Sequence, residues 1–363
     1  MQNKTKDNSK LPWRLVCAAR TGHWQPEESF LLTAVVANAK WLTRLVIFGL
    51  LSICLGSVWA GVWVENPQGG TFLAATPLPS VEEQQEVPAS PNAAQQASMR
   101  SSHVWLDAEG KPLPFQGDEE IQEFLRTARV VSIQDIPVGV TKPKKVLLEK
   151  DGIRMHAKFN NVKIDKRRIK MASGRVKFNF RDDAIFNCAA YELSKLLGLD
   201  NVPPVVERKI KGQGKKGILQ AWVEKGMVET ERLRNKIQTP EKHKWRWTMQ
   251  YQVMRLFDNL IYNEDPNQGN ILYDQDWKLW MIDHTRAFRT YSEPLNPTTI
   301  RFVDRKCWEK LQNLNEDNLK KRLKPFLHSR EIKAILKRRD KLVEHIQQMI
   351  AKRGEGKVLF TLY

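Results

Sequence analysis

Residues 257–289 read FDNLIYNEDPNQGNILYDQDWKLWMIDHTRAFR, and a simple order of elements brings three side chains in this stretch together: Asp265, Asn270 and Asp283. Upstream, Met249, Val253, Leu256, Phe257, Leu260 and Ile261 recur at intervals of three and four, which predicts an amphipathic helix ending shortly before Asp265. Downstream, the apolar segments 271–273 and 277–282 flank Asp274, Gln275 and Asp276, which predicts a hairpin. Such a hairpin returns Asp283 to the end at which Asn270 enters. Asn263, Asp265, Pro266, Asn267 and Gly269 are also ordinary turn formers, so a plain helix-to-hairpin loop is the competing reading.

Asp265 and Asn270 have the Asp-x-x-x-x-Asn spacing of the protein-kinase catalytic loop. There the aspartate accepts the substrate hydroxyl proton, and the asparagine and a later aspartate hold magnesium. Asp283, at the end of an apolar strand, falls where that later aspartate is needed. Mg²⁺ keeps several waters and takes phosphate oxygens as ligands, so one carboxylate and one amide oxygen are sufficient protein ligation. No His or Cys ligand is required.

Asn263-Glu264-Asp265, Gly269-Asn270-Ile271-Leu272 and Ile282-Asp283-His284, with Ala189-Ala190-Tyr191-Glu192-Leu193 and LLGLDNVPPVVER at 196–208, resemble the atypical kinase-fold family of secretory-pathway kinases. The Golgi casein kinase belongs to that family, and a group of bacterial membrane-anchored proteins is similar to it. The resemblance covers roughly residues 118–363. It implies an α+β, two-lobed protein-kinase-like fold, with a small β-rich lobe at about 118–224 and a larger helical lobe at about 225–363. It also implies ATP with Mg²⁺ or Mn²⁺ as cofactor, Asp265 as catalytic residue, and Asn270 and Asp283 as metal ligands.

Two positions depart from the family. Its phosphate-binding lysine falls at Asn160, and the glutamate that pairs with that lysine falls at Asn187. Lys158 lies on the same strand face as Asn160, roughly 6–7 Å along, and Asp183 stands one helical turn before Asn187 on the same helix face. A relocated Lys158–Asp183 pair is the expected nucleotide contact. The bland reading is an exposed strand lysine in a basic chain, and concerted loss of the pair would suggest a pseudokinase.

Around these motifs, residues 129–135, 146–150 and 153–159 read as strands and 119–126 as a helix. Residues 103–113 read as a short hairpin turning at Glu109-Gly110. Gly139 stands alone in its turn, so there is no glycine-rich phosphate loop. Ile332, Ile335, Leu342 and Ile346 predict a long helix from near Ser329 to just before Gly354. Its Lys333, Lys337, Arg338, Arg339 and Lys341 read as a solvated face, with anionic lipid headgroups or acidic substrates as alternative partners. Nucleic acid is a minor hypothesis. Cys188 reads as a buried helix residue, and two thiols in the domain make no disulfide framework.

The chain has 363 residues and a net charge of +18. Residues 45–64, LVIFGLLSICLGSVWAGVWV, are free of charge and long enough to span roughly 30 Å of hydrocarbon. Lys40 and Arg44 precede them and no Lys or Arg follows until Arg100, so the positive-inside rule puts residues 1–44 in the cytoplasm and the C-terminal domain outside it, in the periplasm if the cell is bacterial. A signal peptide cleaved near Val58 and Ala60 is the competing reading. Residues 65–102 are too poor in large apolar side chains to fold and read as a linker to a domain at 103–363. ATP is scarce outside a bacterial cytoplasm, which weighs against catalysis. The expectation is a single-pass, membrane-anchored kinase-like protein transferring phosphate to a hydroxyl acceptor, a protein rather than a lipid. The alternative is a non-catalytic nucleotide-binding or scaffold module.

Overall fold

The computed structural model describes residues 103–137, 142–170, 174 and 176–362, together with the isolated pairs 64–65 and 71–72. These fall into two units divided between Leu78 and Pro79. In the first, Val64–Glu65 pairs antiparallel with Thr71–Phe72. The expected membrane segment and linker lie outside the described residues except for those two pairs, and Gly139 lies outside them too. Among the described residues no helix is long and apolar enough to cross a membrane.

The second unit holds two hydrophobic cores. The smaller one lies beneath an antiparallel five-stranded sheet of order β1-β2-β3-β7-β6. These strands are β1 (Arg129–Asp135), β2 (Lys144–Lys150), β3 (Ile153–Asn160), β6 (Val205–Arg208) and β7 (Gly217–Ala221). In β3 every second residue, Met155, Ala157 and Phe159, is buried, as the two-residue strand period requires. Helix α1 (Asp118–Thr127) covers this face with Ile121, Phe124 and Leu125. Gly217 permits the close approach of β7 to β3, since a Cβ there would stand 2.4 Å from the Asn160 carbonyl oxygen. The hairpin expected at 103–113 is a single bridge, Leu106 to Pro112.

Between β3 and the next helix the chain forms a separate two-stranded hairpin, β4 (Lys163–Lys170) with β5 (Val176–Asp183). Sequence periodicity does not announce it, because β4 reads KIDKRRIK, with an apolar residue only near each end.

The larger core is built on α2 (Phe186–Leu196), α4 (Glu241–Ile261) and α7 (Ser329–Arg353). Short elements complete the lobe: α3 (Glu229–Arg234), α5 (Arg305–Gln312), α6 (Glu316–Leu323), and the parallel pair β11 (Val303–Asp304) with β12 (Leu359–Phe360). A three-stranded sheet of order β8-β9-β10 joins Met227–Val228, Ile271–Tyr273 and Leu279–Met281. The apolar positions predicted on α4 are all buried, and the helix stops at Tyr262, whose φ is +52°. The predicted strand at 277–282 is shorter than expected, because Trp277 has φ +58° and belongs to the turn. Phe186, Ala189 and Leu193 of α2 sit in the same core as Phe257 and Ile332, so α2 is part of the large lobe although it precedes the last two strands of the small sheet.

Candidate active site

Helix α4 hands the chain to the Asp265 loop through short-range hydrogen bonds. Asn263 Nδ2 donates to Asp258 Oδ1 at 2.9 Å, and Asp265 N donates to Asn263 Oδ1 at 3.1 Å. Asn267 Nδ2 donates to Asp265 Oδ1 at 2.9 Å, and Asn270 Nδ2 donates to the Asp265 carbonyl at 3.1 Å. The Asn and Asp residues are therefore turn formers, and the turn they form presents Asp265. Its half-buried carboxylate also accepts from Arg286 Nη1 at 3.0 Å. Arg286 Nε donates at 2.9 Å to Asp182, a buried carboxylate on β5. Burial works against the Arg286 charge, but Asp182, Asp265 and Asp283 outweigh it and hold the guanidinium pKa above its usual value.

The β9–β10 hairpin does what its spacing predicted. Ile271 pairs with Met281, and Ile282 N donates to the Asn270 carbonyl at 3.1 Å, so Asn270 and Asp283 lie at the same end. With Asn270 Nδ2 committed to the Asp265 carbonyl, its amide oxygen is the atom left to accept or ligate. Asp283 has φ +62°, a conformation that non-glycine residues rarely hold. Burial pushes its carboxyl pKa up. The Lys158 ammonium, with Nζ 3.4 Å from Oδ2, more than offsets that and holds it below the usual range, helped by the Thr285 hydroxyl. Asp283 Oδ1 is buried and has no hydrogen-bond partner among the described residues.

Lys158 is not the exposed strand lysine of the bland reading. Its side chain is 13% exposed and reaches Asp283 from the sheet face opposite the small core. The expected Lys158–Asp183 pair is corrected: Asp183 is the last residue of β5, not a helical residue, and α2 begins at Phe186. The Asp183 carboxylate accepts from Ile185 N at 3.1 Å, and burial raises its pKa.

Asn187, at the position of the family's glutamate, has a different task. It is buried on α2, donates from Nδ2 to the Ala184 carbonyl at 3.0 Å, and accepts from His284 N at 3.0 Å. It thereby holds the backbone directly after Asp283. Asn160 is buried as well and accepts from Val162 N at 3.0 Å. His284 is buried, and burial lowers its imidazole pKa to about 4, so the ring is neutral beside Asp283.

Sequence reasoning missed Arg286, Asp182 and the role of Asn187. Arg286 stands three residues after Asp283 and was within sight. Asp182 was not, because the hairpin that carries it went unrecognised.

The site's residues fit a nucleotide-bound divalent cation. Among the described residues no three His, Cys, Asp or Glu side chains cluster as a metal cage, but Mg²⁺ and Mn²⁺ bound to phosphates need no such cage. A buried carboxylate oxygen lacking a partner, the Asn270 amide oxygen and a half-buried lysine are the donor set that such a cation and its phosphates take.

Two lobes, an Asp-x-x-x-x-Asn loop leaving a long helix, and a hairpin that returns an aspartate beneath a strand lysine define an atypical kinase fold. Among solved structures the chain is similar to hydra Fam20 determined with sugar, with a TM-score of 0.54 and 15% identity over 74% of this chain and 97% of that one. It is also similar to the Golgi casein kinase, with a TM-score of 0.50 and 15% identity over 67% of this chain and 79% of that one. The Golgi casein kinase with Mn/ADP bound matches at the same score and identity over 67% and 78%. No protein-family profile matches the sequence, and no curated protein does. The fold is that of the Fam20-type kinases.

Proposed function

We propose that this chain is a phosphotransferase that moves a phosphoryl group from ATP, with Mg²⁺ or Mn²⁺, to a hydroxyl acceptor on a protein. The observation that carries the reading is Asp283, whose partnerless buried Oδ1 and Lys158-paired Oδ2 meet the Asn270 end of the hairpin. The bound cation would neutralise phosphate charge. Asp265, oriented by Arg286, accepts the acceptor's hydroxyl proton as the oxygen attacks. Lys158 exchanges part of its contact with Asp283 for the phosphates. In this reading residues 45–64 anchor the chain and hold the domain outside the cytoplasm.

The second reading, a nucleotide-binding or scaffold module without turnover, is favoured by Asn187: where the family has a charged partner for lysine, this chain has a neutral clamp on backbone. Thermal unfolding of residues 79–363 with Mg²⁺ or Mn²⁺, with and without ATP, tests the site, because a ligand of the native state alone raises the midpoint. A metal-dependent ATP shift that is absent in Asp283→Ala supports the assignment. Phosphate labelling of added protein then separates transfer from binding. A shift that survives Asp283→Ala would sink it.

A further inference from the structure

The β4–β5 hairpin has two unlike ends. Its base is locked down: Phe180 is buried, Arg181 pairs with the buried Glu331 of α7 and lies over the Phe186 ring, and Asp182 binds Arg286. Its outer part is bare. Arg167, Arg168 and Lys170 are exposed, and among the described residues none of the three has an ion-pair partner. Across from them Phe178 is 66% exposed and Val176 39%. The register pairs Arg168 with Phe178 and Lys170 with Val176, and directly opposed residues share a face. One face of the tip therefore carries two apolar side chains beside two cations.

We propose that this tip docks on an anionic lipid surface. Phe178 and Val176 enter the headgroup region, and Arg168, Lys170 and the neighbouring cations meet lipid phosphates. A soluble polyanion would satisfy the charges but gains little from an exposed phenylalanine and valine. A charged bilayer surface takes both, because aromatic rings settle at the interface while Lys and Arg reach headgroups from alongside them. The chain's own sequence supplies the setting, since 38 residues separate His103 from an apolar run long enough to span a bilayer. The hairpin also flanks the catalytic loop: Lys177 Nζ lies 3.8 Å from Glu264 Oε2, and Arg289 Nη1 donates to the Asn179 carbonyl at 2.7 Å. Docking thus sets the Asp265 loop beside the bilayer. It does not depend on whether that loop transfers phosphate.

Residues 79–363 contain both hydrophobic cores and lack the apolar run, so their vesicle binding reports on the domain itself. Sedimentation with phosphatidylcholine vesicles, and with vesicles that also contain phosphatidylglycerol, is expected to show binding only to the anionic set, weakened by salt. Each tip cation contributes about fivefold in partitioning, so Arg168→Gln with Lys170→Gln should bind about 30-fold more weakly. Phe178→Ser should weaken binding further, by an amount that lower salt does not restore. These side chains are exposed, and an unchanged thermal midpoint confirms that each variant is folded. Failure to bind anionic vesicles, or equal binding by parent and variants, overturns the proposal. Capture of an oligonucleotide or phosphopeptide with vesicles left unbound would also overturn it and give the face to that partner.

Discussion

Replacing Asn187 with leucine removes the clamp behind Asp283 while keeping the number and branching of the side-chain heavy atoms. The buried His284 N–H loses its acceptor and the Ala184 carbonyl loses a donor. An orphaned buried donor costs about 1–3 kcal/mol and the second bond about 1 kcal/mol more, so the loss is roughly 2–4 kcal/mol. For a domain of this size that corresponds to a midpoint lower by roughly 5–10 °C. The functional effect follows from the backbone. Asp283 is held at φ +62°, about 1–2 kcal/mol above the conformations it prefers, and with its neighbour released the segment relaxes and takes the carboxylate out of register with Lys158. Mn-ATP should then raise the midpoint of Asn187→Leu far less than that of the parent, with affinity reduced about tenfold for each 1.4 kcal/mol of relaxation. Asn187→Asp keeps an acceptor for His284 N and should fall between the two. Thermal unfolding with and without Mn-ATP reads both effects. If Asn187→Leu melts with the parent and responds equally to nucleotide, Asn187 is not the clamp described here.

Asp283→Gly and Asp283→Ala both remove the proposed metal ligand, but glycine accepts positive φ without strain. The glycine variant should be more stable than the alanine variant by about 1 kcal/mol in urea unfolding, with neither responding to Mn-ATP; alanine equal to glycine would show that the φ is not strained. Asp258 is a pH prediction. Burial pushes its carboxyl up to about 7, with the Asn263 hydrogen bond opposing, against about 4 in the unfolded chain. The folded protein therefore binds the proton more tightly, and the stability this confers is complete below about pH 4 and lost as pH rises to about 7. Asp258→Asn should flatten that slope and be more stable than the parent above neutrality, by on the order of 4 kcal/mol; coincident stability–pH curves would refute it.

The site was legible where the sequence carries its own geometry. A helix period, a turn and a short hairpin suffice to bring Asp265, Asn270 and Asp283 together, because each contact is local and the two-residue strand period fixes which end Asp283 reaches. Lys158 was legible as a side chain on the correct face but not as the partner of Asp283, since that pairing joins β3 to a hairpin more than 100 residues later. Asp183 misled for a physical reason: extrapolating a helix backward by one turn assumes that no strand ends there, and β5 does. The β4–β5 hairpin escaped because an exposed ribbon rich in Lys and Arg has no apolar alternation to reveal it. Asn187 looked like a loss when judged by charge alone. Its hydrogen bonds become visible only when β10 and α2 are seen together.

The placement of α2 in the large-lobe core has a consequence for control. Kinase-like enzymes that are switched by swinging the equivalent helix need it to be loosely held, so that rotation costs little and carries a charged partner toward or away from the lysine. Here the helix buries Phe186, Ala189 and Leu193 alongside Phe257, carries no glutamate at position 187, and is fastened by Asn187 to the backbone directly after Asp283. Rotating it outward would open a core and break the site in one movement. The helix is thus a fixed part of the frame, and under the proposed function control would act on what reaches the cleft rather than through a helix that moves in and out.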